Sequence, residues 1–437
     1  MNSCDYIIKG DAIVCMDSVC AVHDEAAIAV RDGVILEIGG QNALTEKYKH
    51  GRIIGGKGRV VMPGLVNSHT HAPMVLMRGL ADDMPLKEWL EGHIWPAENK
   101  WLGEEFIRDA SRLACLEMIR SGTTTFCDMY FFEGVVAEVA KEMGMRAVLT
   151  AGIIDFPTHT TTGPDDCLEK ALRNIEKYSD EALVSTGLGL HSPYTCSPDT
   201  IKKAVTIALE HDVLLSVHLS ETEWEVGQMR ERYGNTPAMH LDSLGYFEAR
   251  TLNHHCVWLT PEEMDIMAQK GASVAHCPQS NLKLASGIAN VPAMLKAGIN
   301  VCLGTDGAAS NNDLDMIGEM STAALLHKGA WKDPTLVDAS TAISMATANG
   351  ARALGLGGAG VIKEGADADL VLIDMRKPHL TPIYNTLSHI AYSVKSSDVE
   401  TVMVKGRLLM EEGEVLCVDE QEIMERAARW GRKIKEA

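Results

Sequence analysis

The stretch PGLVNSHTHAP (residues 63–73) ends an apolar run with two histidines, His69 and His71, one residue apart. Alternate side chains along a strand share a face, so both imidazoles point to the same side. With Val60-Val61-Met62 in front of it, the run reads as one strand, VVMPGLVNSHTH, that closes on the pair. A His-x-His pair by itself has three readings: chance, a core feature, or half of a metal site. The rest of the chain has to separate them.

Outward from that strand, apolar strand-like segments alternate with helical ones. TTTFCDMY is followed by FEGVVAEVAKEMG, and then come MRAVLTAGII, LVSTGLGLHSPY, VLLSVHLSET, TLNHHCVWLT, ASVAHCPQSN and INVCLGTDGA. SPDT before IKKAVTIALEHD and TPEE before MDIMAQKG are helix starts, each a capping hydroxyl followed by proline at the first helical position. About eight strand–helix units result, which predicts an α/β fold built on a (β/α)₈ TIM barrel. Both ends of the chain have a different texture. YIIKGDAIVCMD, EAAIAVRDGVILEIGG with its Asp32-Gly33 turn, DADLVLIDM and VETVMVKGRLLMEEGEVL read as short strands. The expected organisation is a small β-sandwich domain from residues 1–60 and 366–437, with a catalytic barrel of residues 61–365 inserted between them.

Composition narrows the function classes. The 437 residues carry 60 acidic against 40 basic side chains, a formal net charge of −20, which disfavours nucleic acid or an anionic membrane as the main partner. Eleven scattered cysteines without a C-x-x-C argue against a disulfide framework or a zinc ribbon. No apolar run is long enough to span a bilayer, and the opening CDYIIKGDAIVCMD reads as a strand and turn rather than a leader. A cytoplasmic, reduced setting is expected.

Barrel enzymes carry their catalytic groups at the C-terminal ends of the strands. The polar residues at those ends are His69 and His71, then His191, then His218 with Glu221, then His254 and His255, and last Asp306. Each alone is an ordinary polar group near a loop. Their recurrence at the same end of successive strands is harder to obtain by accident. Three imidazoles and a carboxylate converging on one ion suit Zn²⁺ or Fe²⁺ with a position left for water. His240, His276 and His327 keep structural readings. The apolar residues of MVLMRGLADDMPLKEWLEGHIWPAE read either as helix core or as an apolar lid over a substrate.

These motifs together resemble the amidohydrolase superfamily. The matching stretches are PGLVNSHTHAPM, HLSETEWEV, HCVWL, AHCPQSNLKLASGIA, LGTDGAASNNDLDM and GADADLVLIDM. Within the superfamily the chain is most similar to the 5-methylthioadenosine/S-adenosylhomocysteine deaminases, a group including 5′-deoxyadenosine deaminases, on MRGLADDMPLKEWLEGHIWPAE and SNLKLASGIA. The resemblance implies one divalent metal per subunit, Zn²⁺ before Fe²⁺, held by His69, His71, His218 and Asp306. The fourth strand ends in His191 with no lysine suited to bridge a second ion. Glu221 matches the proton-shuttling glutamate, and His255 the histidine that positions the attacking water. Its neighbour His254 is expected to face the other way. Glu98 and His191 match substrate contacts, Glu98 at the position that holds the ribose hydroxyls. Glu221 and Asp306 also face the substrate.

The implied reaction is hydrolytic deamination of a 6-aminopurine nucleoside. Asp306 and His255 orient the water and take its proton, Glu221 protonates ring N1, and ammonia leaves C6. Relatives that accept S-adenosylhomocysteine resemble one another in an arginine just after the third strand. Here Ala151 stands there, which favours small 5′-substituents. The alternatives are another mononuclear aminohydrolase (guanine or cytosine deaminase, or triazine hydrolase) and a non-catalytic barrel. Glu98 speaks for a ribosylated substrate, and a complete ligand and proton-transfer set for catalysis. The expected partner is a small-molecule nucleoside, with neither nucleic acid nor membrane; the resemblance allows a homo-oligomer, since dimers or tetramers are common among relatives, and no stretch here identifies an interface.

Overall fold

The structure, a computed structural model, describes residues 2–436. Residues 1 and 437, the extremities of the expected end domain, lie outside the described residues. Among the described residues sixteen strands form two sheets. Strands β1–β4 are Asn2–Val14, Val22–Arg31, Val34–Gly40 and Tyr48–Pro63. Strands β5–β12 are Leu65–Thr70, Thr123–Tyr130, Arg146–Ile153, Val184–Leu190, Leu215–Leu219, Thr251–His255, Ser273–His276 and Asn300–Leu303. Strands β13–β16 are Leu370–Asp374, Val399–Val404, Arg407–Glu411 and Glu414–Val415.

Strands β5 to β12 pair in parallel in chain order, with helices between them, as the alternation predicts. The barrel closes where β12 meets β5. The Asp306 N–H donates to His69 O at 2.9 Å, and Asn67 and Thr305 exchange two hydrogen bonds of 2.8 and 3.0 Å. Val66, Cys127, Val148, Leu252, Ala275 and Cys302 fill the interior beneath the site. Each larger one contributes about 1.5–3 kcal/mol by leaving water. The helix starts read from sequence are in place. Ser197 Oγ accepts from Thr200 N–H, and Thr260 with Glu263 forms a reciprocal capping box.

The strands of the two chain ends join in one eight-stranded sheet, ordered β16-β15-β14-β13-β4-β1-β2-β3. It curls so that Val34, in edge strand β3, bridges back to Asp367 just before β13. The two layers expected of a sandwich are thus halves of one sheet, around Ile8, Ile28, Val30, Leu370 and Leu372. The run VVMPGLVNSHTH is not one strand. Val60 to Pro63 pair with β13, whereas Leu65 pairs with Thr123 in the barrel. Gly64 is the crossing point. A Cβ there would lie 2.1 Å from Thr124 Oγ1, so only glycine lets the chain pass from one sheet to the other. The seam therefore falls three residues beyond the end of the expected 1–60 span. Helix Glu420–Lys435, inside the expected 366–437 span, packs on the barrel instead. Its Trp430 donates to Asp109 at 3.0 Å and stands edge-on to Phe106. Buried Arg146 at the base of β7 ties the barrel to the end sheet, 2.9 Å from Asp367 and 3.0 Å from Asp369.

Between β5 and helix Glu104–Arg120 the chain makes an excursion over the C-terminal mouth of the barrel. It includes helix Leu86–Trp89, a π-turn at Leu90–Ile94 and helix Trp95–Trp101. Lys283 Nζ on Asp82 Oδ1, at 2.5 Å, fastens it to the short helix Pro278–Lys283 after β11.

Candidate active site

His69 lies within β5 and His71 one residue past its end. The intervening turn is fixed by Asp128 of β6, whose Oδ1 accepts from the Thr70 hydroxyl at 2.8 Å and the Ala72 N–H at 2.6 Å. Gly304 lets the end of β12 approach, since a Cβ there would sit 2.7 Å from His69 Cβ. Asp306 follows in a left-handed conformation, φ +64°. Its Oδ2 accepts from Ser280 and Ser310 at 2.7 and 2.8 Å. That leaves Oδ1, which faces His69 Nε2 at 3.4 Å and His71 Nε2 at 3.3 Å.

The imidazoles of His71 and His218 are held by bonds through Nδ1. His71 Nδ1 donates to Met129 O, and His218 Nδ1 donates to His191 O at 2.6 Å. Each bond fixes the tautomer with a bare lone pair on Nε2. The two Nε2 atoms nevertheless face each other at 3.3 Å, and neither ring nitrogen of buried His69 has a hydrogen-bond partner. Burial pushes His69 down to about 3 and His218 well below its usual value, so both are neutral. Lone pairs at this distance repel unless a cation lies among them. A tetrahedral ion bound at about 2.0–2.1 Å needs ligand atoms about 3.3–3.4 Å apart. The three spacings, His69 to Asp306, His71 to Asp306 and His71 to His218, are of that size, and His69 is shared by two groups of possible ligands, one with His71 and Asp306 and one with His218 and His255.

Glu221 stands beside this cluster on the loop after β9. Glu225 reaches back across the helix start to hold that loop, accepting from the Ser220 N–H at 2.9 Å and the Glu221 N–H at 2.8 Å. Burial pushes Glu225 up to about 8 even against those two bonds. Burial also raises Glu221, with the nearby His255 pulling back. His255 Nε2 lies 3.9 Å from Glu221 Oε2, while its Nδ1 is 2.9 Å from Asn281 Oδ1. Burial works to lower His255, but the carboxylates of Glu221 and Asp306 outweigh it and the net shift is upward.

The expectation for His254 is overturned. It does not face away: its ring stacks on His69 with centroids 3.7 Å apart and planes 18° apart. His254 is in register with His218 and so shares its face, whereas His255 is in register with Leu219. By the pleat alone His254 is the inward residue. His255 reaches the site only because its φ of +68° breaks the alternation.

These groups floor a cavity of about 290 Å³, lined by His71, His218, Glu221, His255 and Asp306 and, further out, by Glu98 and His191. All the residues expected to act on metal or substrate are thus brought together, except that His69 lies beneath the floor. Leu86, Trp89, Leu90, Ile94 and Trp95 of the excursion wall it; Trp89 and Ile94 are buried in the core and Leu86, Leu90 and Trp95 are half-buried, so the segment read as core or lid serves as both. Burial pushes Glu98 up to about 7, against the pull of the Tyr130 hydroxyl, which donates to it. Burial lowers His191 to about 4, and its Nδ1 meets Thr195 Oγ1 at 3.0 Å. Among the described residues no lysine or arginine lines this cavity. His276 and His327 pair with each other at 3.2 Å outside it, and His240 stacks on Tyr233. The sequence motifs do not point to Asp128, Tyr130, Glu225 or Asn281. Only Glu225 had a local signature, the T-x-x-E spacing from Thr222.

Residues 60–409 match the amidohydrolase family. A 5-methylthioadenosine/S-adenosylhomocysteine deaminase of Thermodesulfovibrio yellowstonii is 45% identical over 98% of this chain and 99% of its own. A 5′-deoxyadenosine deaminase of Methanosarcina mazei is 45% identical over 97% of each. Among solved structures, an adenosine deaminase from Xanthomonas campestris with bound zinc matches with a TM-score of 0.98 and 38% identity, over 100% of both chains.

Proposed function

The chain belongs to the amidohydrolase family, and from that membership and its site we propose hydrolytic deamination of 6-aminopurine nucleosides to inosine-type products and ammonia. One observation carries the reading. Imidazole lone pairs and one carboxylate oxygen converge next to Glu221 and His255, in a cavity whose far side presents Glu98. His69, His71, His218 and Asp306 would hold one divalent ion. Zinc is the proposed metal, supported by the nitrogen–oxygen donor set and by zinc in the Xanthomonas structure. When bound, such an ion supplies Lewis acidity that would lower the pKa of a water toward neutrality.

The chain's own groups do the rest. His255 Nε2 and Asp306 orient the attacking water and accept its proton. Tethered through Oδ2 to two serines, Asp306 keeps its other oxygen aimed at the site. Glu221, favoured in its protonated form by burial, donates to ring N1, which makes C6 electrophilic. The proton taken from water then passes to the amino group, which leaves as ammonia while the C6 hydroxyl returns its remaining proton to Glu221 and becomes the product carbonyl. Glu98 accepts from the ribose hydroxyls and His191 faces the base. This preference for a ribosylated substrate sets the reading apart from free-base deamination.

The absence of a lysine or arginine from the described cavity lining supports small 5′-substituents, as in 5′-methylthioadenosine, 5′-deoxyadenosine or adenosine. The adjoining cleft is lined by Arg108, Lys170, Arg173 and Lys177, of which Lys170 is engaged by Asp166 at 2.9 Å and by Thr160 O, and Arg108 by Glu138 at 2.8 Å. The test is metal analysis of the purified protein with ammonia release from a panel of adenosine-type nucleosides, guanine and cytosine. Metal-replete protein that releases ammonia from none of the nucleosides overturns the reading.

A further inference from the structure

Glu98 is not part of the barrel. It sits on helix Trp95–Trp101 of the excursion, with its carboxylate buried at the cavity wall. Tyr130, the last residue of β6, belongs to the rigid barrel, is itself buried and lines the same cavity. Its hydroxyl donates to Glu98 Oε1. A buried carboxylate without a donor is costly, and in the substrate-free protein the phenol supplies one. A carboxylate oxygen has two lone pairs, so one bond to Oε1 leaves the second lone pair and the whole of Oε2 for a ligand. The phenol thereby restrains the carboxylate in advance and opposes, without cancelling, the push of burial toward the acid. A vicinal diol, with two hydroxyls a short distance apart, matches two acceptors so presented.

We propose that Tyr130 is a specificity-determining positioning residue, which holds Glu98 against the barrel so that the enzyme selects nucleosides bearing an intact ribose diol. This rests on the nucleoside-deaminase reading and deepens it: the recognised class is the ribonucleoside, with 2′,3′-dideoxy analogues discriminated against through Tyr130. Tyr130 acts through Glu98, so its effect belongs in KM and in the choice between substrates rather than in kcat. Pre-organising an acceptor lowers the cost of binding without touching the reacting atoms.

Tyr130→Phe removes a single oxygen. Steady-state kinetics of the metal-replete wild type and variant are compared on a ribonucleoside the wild type deaminates and on its 2′,3′-dideoxy analogue. Equilibrium binding of both to chelator-treated protein gives a readout independent of turnover. The expected result is a rise of about tenfold in KM and in dissociation constant for the ribonucleoside. The rise for the dideoxy analogue is at least fivefold smaller than this, and kcat changes less than about threefold. Glu98→Gln is the second variant. It reduces the same discrimination, and adding Tyr130→Phe to it costs less than about twofold more. Equal losses on both nucleosides, or a full further loss in the Glu98→Gln background, overturn the proposal while leaving the deaminase reading intact. A wild type that deaminates no adenosine-type nucleoside overturns both.

Discussion

Asn281 is the residue whose loss is most informative. His255 is buried, and its Nδ1 lies 2.9 Å from Asn281 Oδ1. This bond places the proton on Nδ1 and leaves Nε2 as the acceptor that faces Glu221 and the attacking water. Asn281→Ala orphans a buried N–H, which costs about 1–3 kcal/mol. It also frees the imidazole to take the opposite tautomer, with its proton on the nitrogen that must accept one. Partners of this kind around metal sites are typically worth about 10–100-fold. The expected outcome is a 10–100-fold fall in kcat/KM. The thermal cost is small. At roughly 2.1 cal/mol/K per residue, 437 residues give an unfolding entropy of about 0.9 kcal/mol/K, so 1–3 kcal/mol lowers Tm by only about 1–3 °C. Asn281→Asp separates the two roles, since it keeps the acceptor and adds a charge. A neighbouring carboxylate favours the imidazolium, and His255 must start neutral to accept a proton. The acidic limb of the kcat/KM profile therefore moves to higher pH in Asn281→Asp, by about one unit or more, and to lower pH in Asn281→Ala. Wild-type kcat/KM in Asn281→Ala, or an unmoved acidic limb in Asn281→Asp, would refute the assignment of His255 as the acceptor.

Three further outcomes are expected. Glu221→Gln keeps its full metal content by elemental analysis but loses about 10²–10⁴ in kcat, the usual worth of one positioned proton donor; near-normal turnover in a metal-replete variant would remove Glu221 from the chemistry. Chelation leaves neutral imidazole lone pairs facing one another, so Tm falls, and readdition at 1,000 times the dissociation constant restores about 4 kcal/mol, or some 4–5 °C for a chain of this size; a melting curve indifferent to chelator and metal would count against the ligand set. With no lysine or arginine lining the described cavity, kcat/KM for 5′-methylthioadenosine exceeds that for S-adenosylhomocysteine, and the opposite ranking in a direct competition assay would show that the amino-acid tail finds a cation elsewhere.

Much of the architecture was legible because its signals are local and periodic. Eight apolar strands alternating with capped helices leave few solutions other than a barrel, and strand texture at both ends predicted a separate sheet. Sites at strand ends were legible because the barrel puts them on one face. The misreadings occur where the cause is tertiary. VVMPGLVN is uniformly apolar whether it serves one sheet or two, and only the proximity of Thr124 shows why Gly64 must be the seam. Helix Glu420–Lys435 reveals its docking on the barrel only through Trp430 and Asp109, which are 321 residues apart in sequence. Asn281 and Tyr130 are not legible in the sequence, because a buried amide and a strand-end tyrosine look like packing until their partners, His255 and Glu98, are brought alongside.

The error over His254 exposes how the site is built. Alternation assumes that the backbone stays in the β region, and at this end of the barrel it does not. Ser220, His255 and Asp306 all have positive φ, +49°, +68° and +64°. None is glycine, and each costs of order 1–3 kcal/mol that the surrounding structure must offset. Each lies at or next to a residue assigned to the chemistry, where the chain leaves a strand. The structural consequence is shared by all three. A left-handed residue reverses the pleat, so neighbours in sequence deliver side chains to one side instead of two. His254 can then support His69 from below while His255 faces the cavity, and the β9 end can present both His218 and, three residues on, Glu221. The barrel supplies the radial arrangement, and these backbone reversals supply the density of functional groups that one strand per ligand would not reach. The offset is visible in the restraints at the same points: Glu225 on the Ser220 and Glu221 N–H groups, Asn281 on His255, and Ser280 with Ser310 on Asp306. Strain and restraint coincide at three positions at or beside the functional groups, which is the pattern expected when a conformation is kept for what it places rather than for its own stability.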